Sequence, residues 1–467
     1  MSQQRTTILI DALTSEHRIA RMCGDVLVDV QITRPGAGSQ VGDIILARIK
    51  AVVPGIKGAF VDVGDVRDGF LPFSEKTDQP ALSEGQTVVV QVRNEALADK
   101  GARLTSQVSI TGRYSVYTPG RAGINVSRKS GDAELAAQFQ ALAGGICGPG
   151  DGVIVRTAAL EAGEAAFEPF TREVTTAHDR WMQAQVQAQS GKSPAVLLAA
   201  PDAITATLTA LDATESVRVV VEGVDAWVDA QKRVPPYLSD VLSQHTGPTP
   251  LFESYGVESQ LDAALGTVAM LPSGGRLHIV DTPACVTVDV DSAGASAGGN
   301  RQAVIRQTDI EAYRKLAREL RLRNLSGNIV VDFISSTDRG DGAALLDLLK
   351  AESAGDPVPV EIKGFSRLGL VEMIRRRRAP SLADVLCSGA GKSPLTLAYN
   401  ALRMAYAQST SAPGRAVTIR AHDHVISVLK KDLAADVTHW QQSRGSTLKL
   451  EGDGAMAVDD LDVYADH

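Results

Sequence analysis

The chain has 467 residues, too many for one hydrophobic core, and predicts roughly three or four domains. Its hydrophobic fraction of 44% makes burial ample, yet no window approaches the ~20 apolar residues of a membrane span, which excludes a membrane-spanning class. A net charge of −8 excludes a surface coated in positive charge, while leaving room for the local basic track that nucleic acid needs. The cysteines Cys23, Cys147, Cys285 and Cys387 are far apart and form no CxxC, which excludes a disulfide framework and a self-contained zinc finger. The start, MSQQRTTILIDAL, lacks an export signal, so a reduced cytoplasmic compartment is expected.

In chain order, a short strand is expected at Thr7–Ile10 and more strand-like sequence at Val26–Ile32. Residues 36–110 change character. GDIILARIKAV, GAFVDVG, DGFLPF and GQTVVVQV read as short β segments separated by Gly, Asp and Pro, a spacing that predicts a small barrel. A Gly-rich stretch, Gly144–Gly152, precedes the strand-like VIVRT (153–157), and a helix is expected from Thr171 to Gln187, just past Pro169. Residues 195–260 alternate strand-like runs (AVLLA, VRVVVEG) with helical stretches. Residues 265–385 read as an α/β unit, with strands HIVD and CVTVDVD, a loop at Ser292–Asn300, a helix beginning near Thr308, and the strand NIVVDFI. Thr308 and Glu311 have capping-box spacing. Tyr313, Leu316, Ala317 and Leu320 form that helix's apolar stripe, while Arg314, Lys315, Arg318 and Arg321 lie largely off it. The remainder after SGAGKS reads as a small α+β domain with an acidic tail.

The densest chemical signal is three aspartates in two apolar strands. In Cys285–Asp291 valines alternate with Thr287, Asp289 and Asp291, and the strand period of two puts Asp289 and Asp291 on one face. Asp332 lies inside the apolar run 328–334. A carboxylate buried alone is costly and is normally paired, protonated or bound to a metal. Three of them from two strands can form an oxygen-rich site of the kind magnesium prefers. Equally, each can sit at a strand end and face water. Two other motifs fail: in SGAGKS (388–393) and SGKS (190–193) the first Gly of a GxxxxGK[ST] loop would fall at Leu386 or Val186, which excludes that nucleotide-binding loop.

The segments GAFVDVGDVRDGFLPF (58–73), KGARLT (100–105), VIVRT (153–157), LPSGGRLHIVD (271–281), VTVDVDSAG (286–294), RELRLRNLSGNIVVDFI (318–334) and GFSRLGLVEMIRRR (364–377), in this order, resemble the ribonuclease E/G family of bacterial endoribonucleases. The resemblance implies a multidomain α/β and α+β architecture. An RNase H-like domain (1–35 and 196–264) would be interrupted by an S1 (OB-fold) RNA-binding barrel (36–112) and a 5′-sensor (113–195). A DNase I-like α/β catalytic domain (265–385), a degenerate zinc-link connector (386–394) and a small C-terminal α+β domain (395–467) would follow.

The same resemblance implies a Mg²⁺-dependent endoribonuclease, with Mn²⁺ as an alternative metal. Asp289 and Asp332 match the family's metal-binding pair. Asp291 stands where the family usually has Asn; its extra charge can tighten metal binding or repel the substrate phosphate. Phe60 and Phe70 would stack on bases and Lys100 would contact the RNA backbone, although both Phe can instead fill the barrel core. Arg156 and Thr157, with backbone at Gly112 and Val116, resemble a sensor for a 5′-monophosphate. Arg314, Lys315, Arg318, Arg321, Arg323, Arg367 and the run Arg375–Arg378 can line an RNA path, or form an ordinary charged surface.

Cys387 is a departure from the family's CPxC, the motif through which two protomers share a zinc. The region reads DVLCSGAGKS, so no zinc and no zinc-dependent dimer is expected, and a homodimer would need other surfaces. The long C-terminal scaffold by which some family members recruit RNA-degradation partners is also not expected. The implied partners are single-stranded RNAs: ribosomal precursors, messengers or small RNAs. The rival readings are an RNA-binding module that cuts poorly or not at all, and a ribonucleoprotein assembly factor.

Overall fold

The structure is a computed structural model that describes residues 6–36, 41–73, 82–96, 101–126, 133–148, 150–211, 217–234, 240–292, 301–334 and 339–466. It divides into two compact units, residues 36–211 and residues 1–35 with 212–467. Among the described residues no helix is long and apolar enough to cross a membrane.

Residues 36–211 begin with a barrel. Strands Ile44–Val53, Gly58–Asp62, Gly69–Pro72, Arg103–Thr105 and Thr87–Asn94 pair in that order, and the last closes onto the first with Ile44 opposite Gln91. Alternation sends Ile45, Ala47, Ala59, Val61, Leu71, Val90 and Leu104 into its centre. The strand Ala195–Leu198 adds to the outside of Ile44–Val53, so this unit continues past residue 195, to Leu211. The second half is a four-stranded sheet, Gly123–Val126, Gly152–Val155, Ser115–Thr118 and Ile110–Thr111, packed on helices Ala133–Gly144 and Phe167–Ser190 around Tyr117, Phe139 and Phe170. The long helix starts at Phe167, ahead of the expected Thr171. Pro169 falls in its first turn, where a missing N–H removes no helical hydrogen bond.

Among the described residues the other unit holds three larger sheets and a two-stranded hairpin, Cys387–Ser388 with Gly391–Lys392. The first orders its strands Leu242–Gln244, Val217–Glu222, Thr6–Asp11, His17–Cys23 and Val26–Thr33. Its central pair, Thr6–Asp11 with Val217–Glu222, is parallel although residues 36–211 intervene in the chain. The strand His17–Cys23 (HRIARMC) was not anticipated, because its two arginines mask the buried Ile19, Ala20 and Met22. The second sheet orders Val268–Met270, Arg276–Asp281, Val286–Asp291, Gly327–Asp332, Val371–Arg375 and Val360–Phe365, with helices Arg301–Leu322 and Arg339–Ser353 against one face. The third, Leu448–Gly452, Val417–Ala421 and Leu461–Ala465, packs on helices Pro394–Ser411, Asp423–Lys431 and Ala434–Arg444 around Trp440.

Helix Arg301–Leu322 begins earlier than its sequence suggested. Thr308 is therefore interior and buried rather than a cap, and Glu311 accepts the Ser273 N–H at 2.8 Å. The basic residues off its apolar stripe are engaged within the protein. Arg318 donates to the Leu27 carbonyl (2.8 Å), Arg321 pairs with Asp29 (3.0 Å), Lys315 and Arg323 pair with Glu319 (3.0 and 2.6 Å), and Arg314 meets Glu352 (3.3 Å). Arg375 is buried on Asp356 (2.8 Å).

A buried ionic cluster ties helix Pro394–Ser411 to the first sheet. Asp11 receives Arg18 and Arg403, both at 2.6 Å. Glu16 receives Arg403 at 2.9 Å and Arg34 at 2.6 Å, and Arg18 also meets Glu258 at 2.8 Å. Burial opposes ionisation of Asp11, but the two guanidinium groups prevail and lower its pKa. Glu222, in register with Asp11, has no arginine ion pair among the described residues: burial first, then the Asp11 charge, pushes its carboxyl up to about 7.

Candidate functional site

Strands Val286–Asp291 and Gly327–Asp332 run parallel, with Val286, Val288, Ile329 and Val331 buried against the helices. The opposite face is open. Asp289 and Asp332 are direct register partners on that face, and both are exposed. Adjacent strands lie ~4.8 Å apart, so two carboxylates in register can converge on one cation in front of the sheet. Both lie toward the carboxyl ends of parallel strands, where open α/β sheets present their ligand sites. The valines take the buried positions, so neither aspartate is a core carboxylate.

Asp291 shares this face but stands one step further along its strand, ~6.7 Å on. Antiparallel pairing sets it opposite Arg276, whose Nε lies 3.6 Å from its Oδ2. Asp289 is opposite His278. Among the described residues no group of three or more His, Cys, Asp or Glu side chains is placed to hold a metal. The structure thus brings two of the three expected carboxylates into one register and leaves the third beside an arginine.

Two groups brace the end of the Asp332 strand. The next residue, Phe333, stacks on Tyr313 with ring centroids 3.9 Å apart and planes at 9°. The buried Asp309 accepts the Ile334 N–H at 3.1 Å. Sequence reasoning placed Tyr313 on the apolar stripe but gave Asp309 no role. Its signal was a lone Asp on the buried face of an amphipathic helix.

On the barrel, Phe60 and Phe70 are register partners whose rings lie 5.8 Å apart at 59°. Neither belongs to the barrel core, and Phe60 is 38% exposed. The alternative that both fill the interior therefore fails, since their neighbours Ala59, Val61 and Leu71 occupy it. Gly58 makes room for this surface, as a Cβ there would run into the Phe70 ring. Lys100 lies outside the described residues.

Of the four sensor candidates, the structure brings Arg156 against Gly112. Strand Ser115–Thr118 pairs with Gly152–Val155, placing Val116 opposite Ile154. The Arg156 N–H donates to the Tyr114 carbonyl (2.9 Å), and its guanidinium reaches the Gly112 carbonyl (2.6 Å). Arg156 is exposed, and Thr157 opens the short helix Thr157–Ala162. Cys387 begins a small β-hairpin opposite Lys392, where burial raises its thiol pKa.

With this geometry in view, comparison with known proteins defines the class. A model of the ribonuclease E/G family matches residues 109–378. The chain belongs to that family. It is 30% identical over 425 residues to ribonuclease G of Escherichia coli K12, covering 85% of this chain and 86% of that protein. Ribonuclease G of Haemophilus influenzae is 31% identical over 426 residues, with the same shares covered. Ribonuclease E of Escherichia coli K12 is 32% identical over 412 residues, which are 82% of this chain and 38% of that longer protein.

Proposed function

We propose that this protein is a metal-dependent endoribonuclease acting in RNA processing or decay. It cuts single-stranded RNA to leave 5′-phosphate and 3′-hydroxyl ends. The observation that carries the reading is the register pairing of Asp289 with Asp332 on the open face of a parallel strand pair, in a chain whose relatives are ribonucleases. The donor set fits magnesium: hard carboxylate oxygens, open to water, in the small number that Mg²⁺ usually takes from protein. Once bound there, the ion would supply an activated water and stabilise charge on the scissile phosphate.

The chain's own residues divide the remaining work. Asp289 and Asp332 hold the cation, and Asp291, neutralised by Arg276, borders the site without adding an unbalanced charge. Phe60 and Phe70 give an exposed aromatic platform for bases, as expected of an S1-type barrel. Arg156 and Thr157 receive a 5′-monophosphate, with the guanidinium held by the Gly112 carbonyl. In this reading the interrupted five-stranded sheet is the RNase H-like domain and the six-stranded sheet the catalytic one.

The test is incubation with a 5′-monophosphorylated, A/U-rich single-stranded RNA in Mg²⁺, Mn²⁺ or chelator, for the native protein, Asp289→Asn and Asp332→Asn. Internal cuts that disappear with chelator and in both variants are expected. Tight RNA binding with no cut in any metal would replace this reading with that of an RNA-binding module.

A further inference from the structure

The turn between strands Ile110–Thr111 and Ser115–Thr118 carries three successive backbone N–H groups that point to one side chain. The Glu173 carboxylate, on helix Phe167–Ser190, accepts the N–H of Arg113 (Oε1, 2.9 Å) and those of Tyr114 and Ser115 (Oε2, 2.9 and 3.1 Å). It also accepts the Ser115 hydroxyl (3.1 Å). Successive amides of this kind form a concavity suited to an anion. Here the anion is part of the chain. The carboxylate sits so close to Gly112 that a Cβ at that position would run into it, so a larger residue there would displace Glu173 from the amides it gathers.

The same turn presents the Gly112 carbonyl to Arg156, while the Gly112 N–H is bonded to the Ser115 carbonyl at 2.9 Å. The backbone that orients Arg156 is therefore shaped from behind by Glu173. We propose that Glu173 is a positioning residue for 5′-end recognition: by gathering the amides of residues 113–115 it fixes the turn whose carbonyl aims the Arg156 guanidinium at a terminal phosphate monoester. This rests on the sensing role of Arg156 proposed above. Because the amides of residues 113–115 are already engaged by Glu173, these three do not meet the phosphate themselves.

The experiment compares kcat/KM for two RNAs identical except for a 5′-monophosphate or a 5′-hydroxyl, using the full chain and its Arg156→Ala, Glu173→Ala and Glu173→Gln variants. Thermal unfolding checks that each variant is folded. The native protein should prefer the monophosphorylated RNA, and Arg156→Ala should abolish that preference. Glu173→Ala should reduce the preference by about tenfold, the scale of losing a positioned contact. Glu173→Gln, which keeps one acceptor oxygen, should fall between. Equal loss on both RNAs, or an unchanged preference, in a folded Glu173→Ala protein would overturn the positioning role while leaving sensing intact. A native protein with no preference, matched by Arg156→Ala, would overturn the sensing reading and this inference with it.

Discussion

Arg403→Met tests the ionic cluster beneath helix Pro394–Ser411. Arg403 is buried, donates its Nε to Asp11 (2.6 Å) and Nη2 to the Glu16 carbonyl (3.2 Å), and its Nη1 lies 2.9 Å from the Glu16 carboxylate. The methionine preserves most of the side-chain volume, so the change removes charge rather than packing. Breaking one partner out of a buried ion pair costs about 3–5 kcal/mol, because the remaining charge stays buried without its counter-ion. Asp11 keeps Arg18 and Glu16 keeps Arg34, so the lower end applies, about 3 kcal/mol. Hydrogen exchange read by mass spectrometry on peptides covering Val417–Ala421 and Thr6–Asp11 measures this locally, where a single unfolding midpoint for several domains would not. A loss in opening free energy below about 1 kcal/mol, the scale of an exposed pair, would refute the cluster's role in holding the helix.

Glu222→Gln should flatten a pH dependence of stability. Burial pushes the folded carboxyl up to about 7 from its ordinary 4.5, so the folded state binds the extra proton between these values. Its contribution is present at low pH and is lost as pH rises from 4.5 to 7; the opening free energy of strand Val217–Glu222, read by hydrogen exchange and corrected for the pH dependence of intrinsic exchange, should fall over that window by an amount approaching about 3 kcal/mol in the native protein but not in the variant. Asp11, whose pKa is lowered, acts oppositely, and its contribution disappears only as pH falls below 3.8. Phe60→Ala and Phe70→Ala should each weaken single-stranded RNA binding by about 1–3 kcal/mol in fluorescence anisotropy, with little change in melting temperature. Asp291→Asn should change the cleavage rate by less than about fivefold at moderate salt, since its charge is balanced by an exposed Arg276; a hundredfold loss would make Asp291 a direct ligand.

Much of the six-stranded sheet is legible because its strands alternate strictly: CVTVDVD announces one buried and one open face. What alternation cannot give is register. That Asp289 stands opposite Asp332 depends on how the connection between two parallel strands closes, a tertiary fact. The strand His17–Cys23 is hidden by its two arginines, of which Arg18 is itself buried on Asp11. The start of helix Arg301–Leu322 was misplaced because Thr308 and Glu311 fit a cap by spacing, while packing buried the threonine. Glu173 gave no signal, since a glutamate on a helix is usually solvated and its partners are 58 to 60 residues earlier.

Helix Arg301–Leu322 grips the Asp332 strand through Tyr313 and Asp309, and through Arg318 and Arg321 it grips the strand Val26–Thr33. It acts as a shared axle between two sheets. A disturbance of the Leu27 carbonyl or of Asp29, far along the helix from Asp289 and Asp332, therefore has a path of direct contacts to the strand that sets the spacing of these two carboxylates.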